Sequence, residues 1–386
     1  MSGEDRAKLI RAAKRVVIKI GSSILTSSDM DINEDSFRSI AREVSALRTR
    51  GIEPVIVSSG AIAAGMKKLG LRQKPRGLAM KQAIAACGQS ALMWYYEKAF
   101  SEYGEKVAQI LITHDGLAIR KRFLYAQKTV LTLLRMGVIP IVNENDTVAV
   151  EEIMLGDNDN LAALVTSLTH ADLLIMLTDI DGFYDKDPRL HPDAKIIPVI
   201  EKITPDVEKL AGGTMGRTTT GGMKTKIEAA RTAAAFGVPT IIANGKKDTT
   251  ITDIFSDKDV GTLFVPEKSR LKGRKHWIAY TLRPSGTLVV DSGAKAALIK
   301  AGKSLLPSGV KAVYGKFEVG ELVRCVDEGG YEIARGLSSY SSDEIKKILG
   351  SKSCDIESLL GYKYRDEIIH RDDLVVLADL ATSEKG

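Results

Sequence analysis

A run of four polar residues, Asp157, Asn158, Asp159 and Asn160, precedes an apolar segment in "LGDNDNLAALV". The apolar residues that follow recur at the spacing of one helix face, which predicts a helix that begins at the run. Asp or Asn before such a helix is a common N-cap, because its side-chain oxygen accepts a hydrogen bond from an otherwise unpaired backbone N–H. Capping needs one or two of the four residues. The others are surplus polar groups at the positive end of the helix dipole.

A second cluster of amide and carboxylate side chains follows an apolar run shortly before the first. In "VNENDTVAV" it contains Asn143, Asn145 and Asp146. The spacing does not match an EF-hand loop, so a calcium site is not favoured. Two such clusters so close together favour a binding site over ordinary solvated loops.

Two earlier stretches carry groups suited to an anion. Lys19 interrupts an apolar run and is followed by Gly21 in "KIGSS", where the lysine supplies positive charge and the glycine lets a backbone N–H approach a phosphate. In "VIVSSGAIAAG", Ser59 and Gly60 lead into a helix of small residues, whose free N–H groups can bind a carboxylate or phosphate. Taken alone, each stretch fits a structural role equally well, as a turn after an edge strand or as a serine N-cap.

A fourth stretch combines "LTDIDGFYDKDP" with the later loop "GGTMGRTTTGGMKTK". Thr178 and Asp179 end an apolar run, and the loop mixes glycines, threonines and Lys226 before a predicted helix. Such a loop suits a nucleotide phosphate, although a surface linker has a similar composition. The chain has no GxxxxGK[ST] loop, no GxGxxG after a strand and no HExxH motif.

Composition predicts an ordinary cytoplasmic globular protein of two domains. The 386 residues are 44% hydrophobic and 27% charged, and the start, "MSGEDRAKLI", lacks the apolar core of a signal peptide. No apolar run approaches the ~20 residues of a membrane helix, so we expect no membrane association. The three cysteines are far apart, which argues against a disulfide framework or zinc site.

The positive charge lies in the first part of the chain. Residues 1–275 carry 40 Lys and Arg against 33 Asp and Glu, whereas residues 276–386 carry 15 against 16. This modest excess suits an anionic small molecule as well as a nucleic acid.

Short apolar runs alternate with helical segments over the first 265 or so residues, which predicts an α/β fold with helices on both faces of a mainly parallel sheet. The runs do not alternate with polar residues, as expected for strands buried on both faces. Predicted strands cover residues 15–20, 53–59, 106–113, 138–145, 171–179 and 238–245. Predicted helices cover residues 36–50, 60–69, 77–103, 121–136, 158–169 and 222–236. Ligands of such folds bind at the carboxyl ends of the strands.

The pattern changes after residue 266. We predict a catalytic domain over 1–266, a linker over 267–280, a small β domain over 281–363 and a tail over 364–386. Closely spaced glycines between short apolar runs indicate the β domain. One helix is expected in "SSDEIKKILG", with Ser342 or Asp343 as its cap.

The motifs "KIGSS", "SSGAIAAG", "NEND", "GDND", "LTDIDGFY" and "TGGMKTK" occur in the order found in the amino-acid kinase family, and within it the glutamate 5-kinases. The chain resembles that group over nearly its whole length, and its last part resembles a PUA domain. The resemblance implies transfer of the ATP γ-phosphoryl group to the side-chain carboxylate of L-glutamate, the first step of proline biosynthesis.

The resemblance also implies roles for individual residues. Lys19 and Lys226 would neutralise charge on the transferring phosphoryl group, and Asp159 would orient them. Substrate-binding positions are Ser59, Gly60, Asn143, Asp146, Asp157 and Asn158. Nucleotide-binding positions are Lys19, Gly21, Thr178, Asp179, Thr220, Gly221, Gly222, Met223, Lys224, Thr225 and Lys226. Mg²⁺ is expected mainly through the phosphates of ATP, without a dedicated protein site.

The sequence leaves alternative functions open. Aspartate, acetylglutamate, carbamate and uridylate kinases share the fold and the use of lysines. The PUA-like segment raises the alternative of an RNA-binding or regulatory protein, and the net charge of −1 over residues 276–386 disfavours RNA. The resemblance further implies feedback inhibition by proline and a homo-oligomer, either a dimer or a tetramer.

Overall fold

The computed structural model describes residues 3–27, 31–73, 75–148, 157–213, 222–256, 258–266 and 284–377. The chain divides into two compact units, Met1–Lys268 and Ser269–Gly386. None of the described helices is long and apolar enough to span a membrane.

The first unit is built on an eight-stranded sheet with the order β3-β4-β2-β1-β5-β7-β8-β6. Its strands are β1 (Arg15–Ile20), β2 (Glu53–Val57), β3 (Lys106–Ile112), β4 (Val138–Glu144), β5 (Leu173–Thr178), β6 (Val199–Ile200), β7 (Thr240–Asn244) and β8 (Thr262–Phe264). Every neighbouring pair is parallel except β7 and β8. The predicted α/β fold with a mainly parallel sheet is confirmed.

Eleven helices of this unit lie in the described residues. They are α1 (Gly3–Arg11), α2 (Ser22–Leu25), α3 (Glu34–Thr49), α4 (Ala61–Lys68), α5 (Leu78–Ser101), α6 (His114–Ala118), α7 (Arg120–Arg135), α8 (Asp157–Thr169), α9 (Pro205–Gly213), α10 (Met223–Ala235) and α11 (Thr250–Ile254). Strands β1, β2, β4, β5 and β7 are buried along almost their whole length. Their valine, isoleucine and leucine side chains form the core between the helices.

The prediction that all the strands are buried on both faces is wrong for β3. Lys106, Gln109 and Leu111 of this strand are exposed, and Ile112 is its one buried residue. The physical reason is its position, because β3 is the edge of the sheet and pairs only with β4. An apolar sequence run alone does not distinguish an edge strand from a central one.

Helices α4 and α5 cross with their backbones in contact. A Cβ atom on Gly65 would lie 1.9 Å from the carbonyl oxygen of Ile84, and one on Gly88 would lie 1.9 Å from that of Ala61. Only glycine fits at both positions. The two glycines therefore allow the backbones of α4 and α5 to touch at this crossing.

The second unit has a five-stranded sheet with the order β10-β9-β11-β12-β13. The strands are β9 (Gly286–Val290), β10 (Val310–Gly315), β11 (Leu322–Val326), β12 (Glu332–Leu337) and β13 (Leu374–Val376), and the helices are α12 (Ser292–Ala301), α13 (Ser342–Ile348) and α14 (Ile356–Leu360). Strand β13 lies within the segment that the sequence assigns to a tail. It pairs antiparallel with β12, so residues 374–376 belong to this sheet.

The predicted cap of the helix in "SSDEIKKILG" is wrong by one or two residues. Ser341 is the N-cap of α13, and its side chain accepts a hydrogen bond from the backbone N–H of Glu344. The Glu344 carboxylate accepts in return from the backbone N–H of Ser341, at 2.7 Å. This reciprocal capping box requires Glu three residues after the cap, which selects Ser341 over its neighbours.

Candidate active site

The candidate site lies where the carboxyl ends of the central parallel strands meet the starts of three helices. Strand β2 leads through Ser58 and Ser59 to α4, β1 ends before Gly21, and β5 ends at Thr178. Helices α8 and α10 contribute their first turns. The site therefore occupies the edge of the sheet at which α/β folds bind their ligands.

The carboxylate of Asp159 holds two lysine ammonium groups. Its Oδ1 lies 2.6 Å from Lys19 Nζ, and its Oδ2 lies 3.1 Å from Lys226 Nζ. The Thr225 hydroxyl donates a further hydrogen bond to Oδ2, at 2.7 Å. All three charged side chains are at most 6% exposed. Residues from β1, α8 and α10 thus form one buried cluster with a net positive charge.

Burial and charge act in opposite directions on this cluster. Burial alone would raise the pKa of the Asp159 carboxyl, but the two ammonium groups outweigh it and hold that pKa below its ordinary value. Burial lowers the pKa of the Lys19 ammonium, and the charge of Asp159 opposes that shift. The carboxylate therefore favours the charged form of Lys19, which desolvation alone would push towards neutrality.

The residue before Asp159 contacts a different set of groups. Asn158 donates from Nδ2 to the Ser59 hydroxyl at 3.1 Å and to Asn143 Oδ1 at 3.2 Å. Its Oδ1 is buried without a hydrogen-bond partner among the described residues. Two adjacent residues of α8 thus contact different parts of the site. Asp159 belongs to a charged half with the lysines, and Asn158 belongs to a half made of polar, uncharged side chains.

All four residues of the polar run at 157–160 lie inside α8, which begins at Asp157. The prediction that one of them is the N-cap is therefore wrong, because the first turn itself contains them. Residue 156 and the side chain of Asp157 lie outside the described residues. Placing Asn158 and Asp159 in the first turn lets the helix direct both side chains into the site.

The start of α4 is fixed by backbone geometry. Gly60, its N-cap residue, has φ of 99°, a left-handed conformation that favours glycine. The backbone N–H of Ser58 donates to the Val142 carbonyl at 2.8 Å, which ties this turn to β4. Ser59 is therefore presented next to Asn158 by a rigid turn.

Asp146 lies in the turn that follows β4, outside the hydrogen-bond chain of Asn158. It is half-buried, and burial raises the pKa of its carboxyl to about 6. Asn143, in contrast, is buried within β4 and belongs to that chain.

Most of the positions predicted to bind the nucleotide fall at the end of β5 and at the start of α10. Thr178 donates from its hydroxyl to Asp179 Oδ1 at 3.2 Å, and Gly21 donates from its backbone N–H to the Leu177 carbonyl at 3.2 Å. Gly222 is the N-cap residue of α10, which begins with Met223, Lys224 and Thr225. Thr220 and Gly221 lie outside the described residues.

Sequence reasoning missed several polar residues at this edge. Asn244 donates to Asp181 Oδ1 at 3.0 Å, and Lys247 lies 2.6 Å from the same oxygen. Gln89 accepts from Asn143 Nδ2 at 2.9 Å. The end of a predicted strand in "IIAN" was a usable signal for Asn244, whereas Gln89 lies inside a helix and had none.

A model of the amino acid kinase family matches residues 14–244, well over half of the chain. The chain belongs to the amino acid kinase family. The matched part contains β1 to β7 and every residue of the Asp159 cluster, and a PUA domain model matches residues 286–360. The resemblance predicted from the motifs is confirmed.

Within the amino acid kinase family, the chain is similar to glutamate 5-kinases. It is 56% identical over 372 residues to glutamate 5-kinase of Geobacter sulfurreducens, covering 96% of this chain and 100% of that protein. It is 52% identical over 363 residues to glutamate 5-kinase of Caldanaerobacter subterraneus subsp. tengcongensis, covering 94% of this chain and 98% of that protein.

Proposed function

We propose that the described site carries out the glutamate 5-kinase reaction, transfer of the γ-phosphoryl group of ATP to the side-chain carboxylate of L-glutamate. The observation that carries this proposal is the Asp159 cluster, which holds two buried ammonium groups and is adjacent in α8 to the polar side chain of Asn158. Phosphoryl transfer depends on positioning and on stabilising charge spread over the phosphoryl oxygens. The high identity to glutamate 5-kinases over nearly the full chain supports the choice of substrate.

Glutamate is placed with its α-amino and α-carboxylate groups in the polar half of the site. Ser59, Asn143 and Asn158 supply hydroxyl and amide groups there, and Gly60 supplies the left-handed turn at the start of α4. The Asp146 carboxylate, when ionised, provides a negative charge for the ammonium group. The side chain of glutamate then extends towards Lys19 and Lys226.

The reaction needs no protein base. The glutamate side chain has an ordinary pKa of about 4.3, so it is already ionised at neutral pH. One carboxylate oxygen forms a bond to the γ-phosphorus of ATP, and the bond from that phosphorus to the bridging oxygen breaks. The products are γ-glutamyl phosphate and ADP. Lys19 and Lys226 stabilise the negative charge on the transferring group and on the departing phosphate.

The nucleotide is placed along Thr178, Asp179 and the first turn of α10, where unpaired backbone N–H groups favour phosphates. Magnesium, when bound with ATP, would neutralise phosphate charge. Asp159 is poorly suited to hold it, because each of its oxygens already forms an ion pair with a lysine ammonium group. We therefore assign the metal mainly to phosphate oxygens and water, in keeping with the few protein ligands that magnesium usually takes.

The proposal is tested by measuring hydroxamate formed from ATP, magnesium and hydroxylamine with each candidate acceptor. We expect γ-glutamyl hydroxamate from L-glutamate, and no comparable turnover with L-aspartate or N-acetylglutamate. The variant Asn158→Leu should raise KM for glutamate while leaving KM for ATP nearly unchanged. Preferred turnover of aspartate or N-acetylglutamate would contradict the proposed substrate.

Three further proposals concern the setting of the enzyme. Proline carries the same α-carboxylate and an ammonium group, so we expect it to inhibit competitively with glutamate.

The exposed edge strand β3, with Leu111, suits contact with a second copy of the chain. Light scattering should show a dimer or tetramer.

A cytoplasmic location agrees with the three free cysteines. Cell fractionation would test it.

A further inference from the structure

Three side-chain amides form a chain of hydrogen bonds with a free group at each end. Asn158 Nδ2 donates to Asn143 Oδ1, and Asn143 Nδ2 donates to Gln89 Oε1. At one end, Asn158 Oδ1 is a buried acceptor without a partner among the described residues. At the other end, Gln89 Nε2 is a buried donor, equally without a partner in the part of the chain that the structure describes.

Gln89 comes from the middle of the 24-residue helix α5, next to the residue at which that helix contacts α4. Its Oε1 accepts from Asn143 Nδ2 at 2.9 Å. Asn143 Oδ1 accepts in turn from Asn158, which also donates to the Ser59 hydroxyl. These hydrogen bonds connect Gln89 to the polar half of the site.

The direction of the chain is also fixed. Asn143 Oδ1 accepts from the backbone N–H of Glu144 as well as from Asn158, which orients the Asn143 amide. Its Nδ2 must then face Gln89, and Gln89 must offer its oxygen and keep its NH₂ group for another acceptor. Burying a donor and an acceptor unpaired is costly, typically about 1–3 kcal/mol for each group. A ligand that pairs with both would offset this cost.

We propose that Gln89 is a substrate-recognition residue whose Nε2 donates to the α-carboxylate of glutamate, while Asn158 Oδ1 accepts from the α-ammonium group. An α-amino acid carries one acceptor group, its carboxylate, and one donor group, its ammonium, which are the two kinds of partner that the free ends lack. The inference rests on the placement of glutamate proposed above and extends it to a residue on α5. Gln89 Oε1 additionally positions Asn143.

The test compares Gln89→Met with Asn158→Leu, two apolar substitutions of similar shape. For Gln89→Met, KM for glutamate should rise on the order of 10- to 100-fold, the loss expected for a hydrogen bond to a charged group, with KM for ATP nearly unchanged. Two competitive inhibitors separate the contacts. Glutarate keeps the carboxylate and lacks the ammonium group, whereas 4-aminobutyrate lacks the α-carboxylate.

We expect Gln89→Met to weaken inhibition by glutarate in proportion to glutamate binding and to leave inhibition by 4-aminobutyrate nearly unchanged. Asn158→Leu should do the reverse. Gln89→Glu keeps the acceptor for Asn143 and replaces the donor by a negative charge, so it should weaken glutamate and glutarate binding more than Gln89→Met does. This second variant also serves if the methionine protein folds poorly.

Equal weakening of both inhibitors by Gln89→Met, or no change in KM for glutamate, would overturn the inference. If Asn158→Leu still raises KM for glutamate, only the role of Gln89 fails. If neither Asn158→Leu nor Gln89→Met affects glutamate, the proposed placement of the substrate itself is wrong.

Discussion

Replacing Asp159 by asparagine removes one negative charge and almost no volume. In the structure this carboxylate lies 2.6 Å from Lys19 Nζ and 3.1 Å from Lys226 Nζ, and it is 1% exposed. The amide of the variant can still accept a hydrogen bond from Thr225. The substitution therefore isolates the effect of the charge on two buried ammonium groups.

The magnitude follows from these distances. At an effective dielectric constant of about 20, the two contacts correspond to attractions of about 6 and about 5 kcal/mol. Desolvation of the three groups offsets much of this gain, by several kcal/mol for each ion. Removing one partner of a buried ion pair typically costs about 3–5 kcal/mol, because the remaining charge stays buried and uncompensated. We expect a loss of this size in the free energy of unfolding of Asp159→Asn at pH 7.

The pH dependence provides a sharper signature. The pKa of Asp159 is below its ordinary value of 3.8, so its contribution is present above pH 3.8 and is lost as the pH falls through the lowered pKa. In Asp159→Asn, the pKa of Lys19 should fall further, because the charge that opposes desolvation is gone. Stability of the variant should then increase as the pH rises and the lysine becomes neutral.

Urea denaturation at several pH values measures both effects. The difference between wild type and Asp159→Asn should be largest near neutral pH and should shrink at acid and alkaline pH. The control is Asp193→Asn, the same change in an exposed ion pair with Lys186, which should cost no more than about 1 kcal/mol. Equal effects of the two substitutions, or a difference that does not vary with pH, would refute the reasoning.

The pKa of Glu43 is raised to about 7 by burial, so its contribution to stability declines as the pH rises from 4.5 to about 7. As the pH rises from 5 to 8, the free energy of unfolding of Glu43→Gln should therefore increase relative to that of wild type by up to about 3 kcal/mol, measured by urea denaturation. Gly88→Ala should lower the free energy of unfolding by about 1–3 kcal/mol or more and reduce turnover, because its Cβ would lie 1.9 Å from the Ala61 carbonyl oxygen. The control Gly3→Ala should change little, because the space around Gly3 is open. Ser341→Ala should lose about 1 kcal/mol of capping energy in unfolding of the second unit, without a change in kcat. A neutral result for either Gly88→Ala or Ser341→Ala would contradict the packing or the capping box, respectively.

Most of the first unit could be predicted from the sequence because its central strands are continuous apolar runs. Each of the six predicted strands overlaps an observed strand, and the observed ends lie within two residues of the predicted ones. The exposure of β3 could not be predicted, since edge position depends on strand order and not on local composition. The cap of α13 was missed because two neighbouring polar residues look equally suitable until the reciprocal contact with Glu344 is seen.

The residue types of the candidate site could be predicted from the sequence, but the contacts that each residue makes could not. Polar side chains near the ends of predicted strands indicated Ser59 and Asn143, since parallel strands bring their carboxyl ends to one edge, and the polar run before a predicted helix indicated Asp159. That Asp159 contacts both lysines, while Asn158 contacts neither, depends on the direction of successive side chains in the first turn of α8. Gln89 was not predictable, because it lies inside a helix and its link to the site is a tertiary hydrogen bond with Asn143.

The central claim is that Lys19 and Lys226, held by one carboxylate, stabilise the transferring phosphoryl group. The measurement that tests it most directly is kcat for γ-glutamyl hydroxamate formation in Lys19→Met, Lys226→Met and the double variant, with exposed Lys186→Met as the control. We predict that each single active-site variant loses at least about 100-fold in kcat with a much smaller change in KM for glutamate, and that the double variant loses far less than the product of the two. Unchanged kcat in either single variant, or losses confined to KM, would contradict the account.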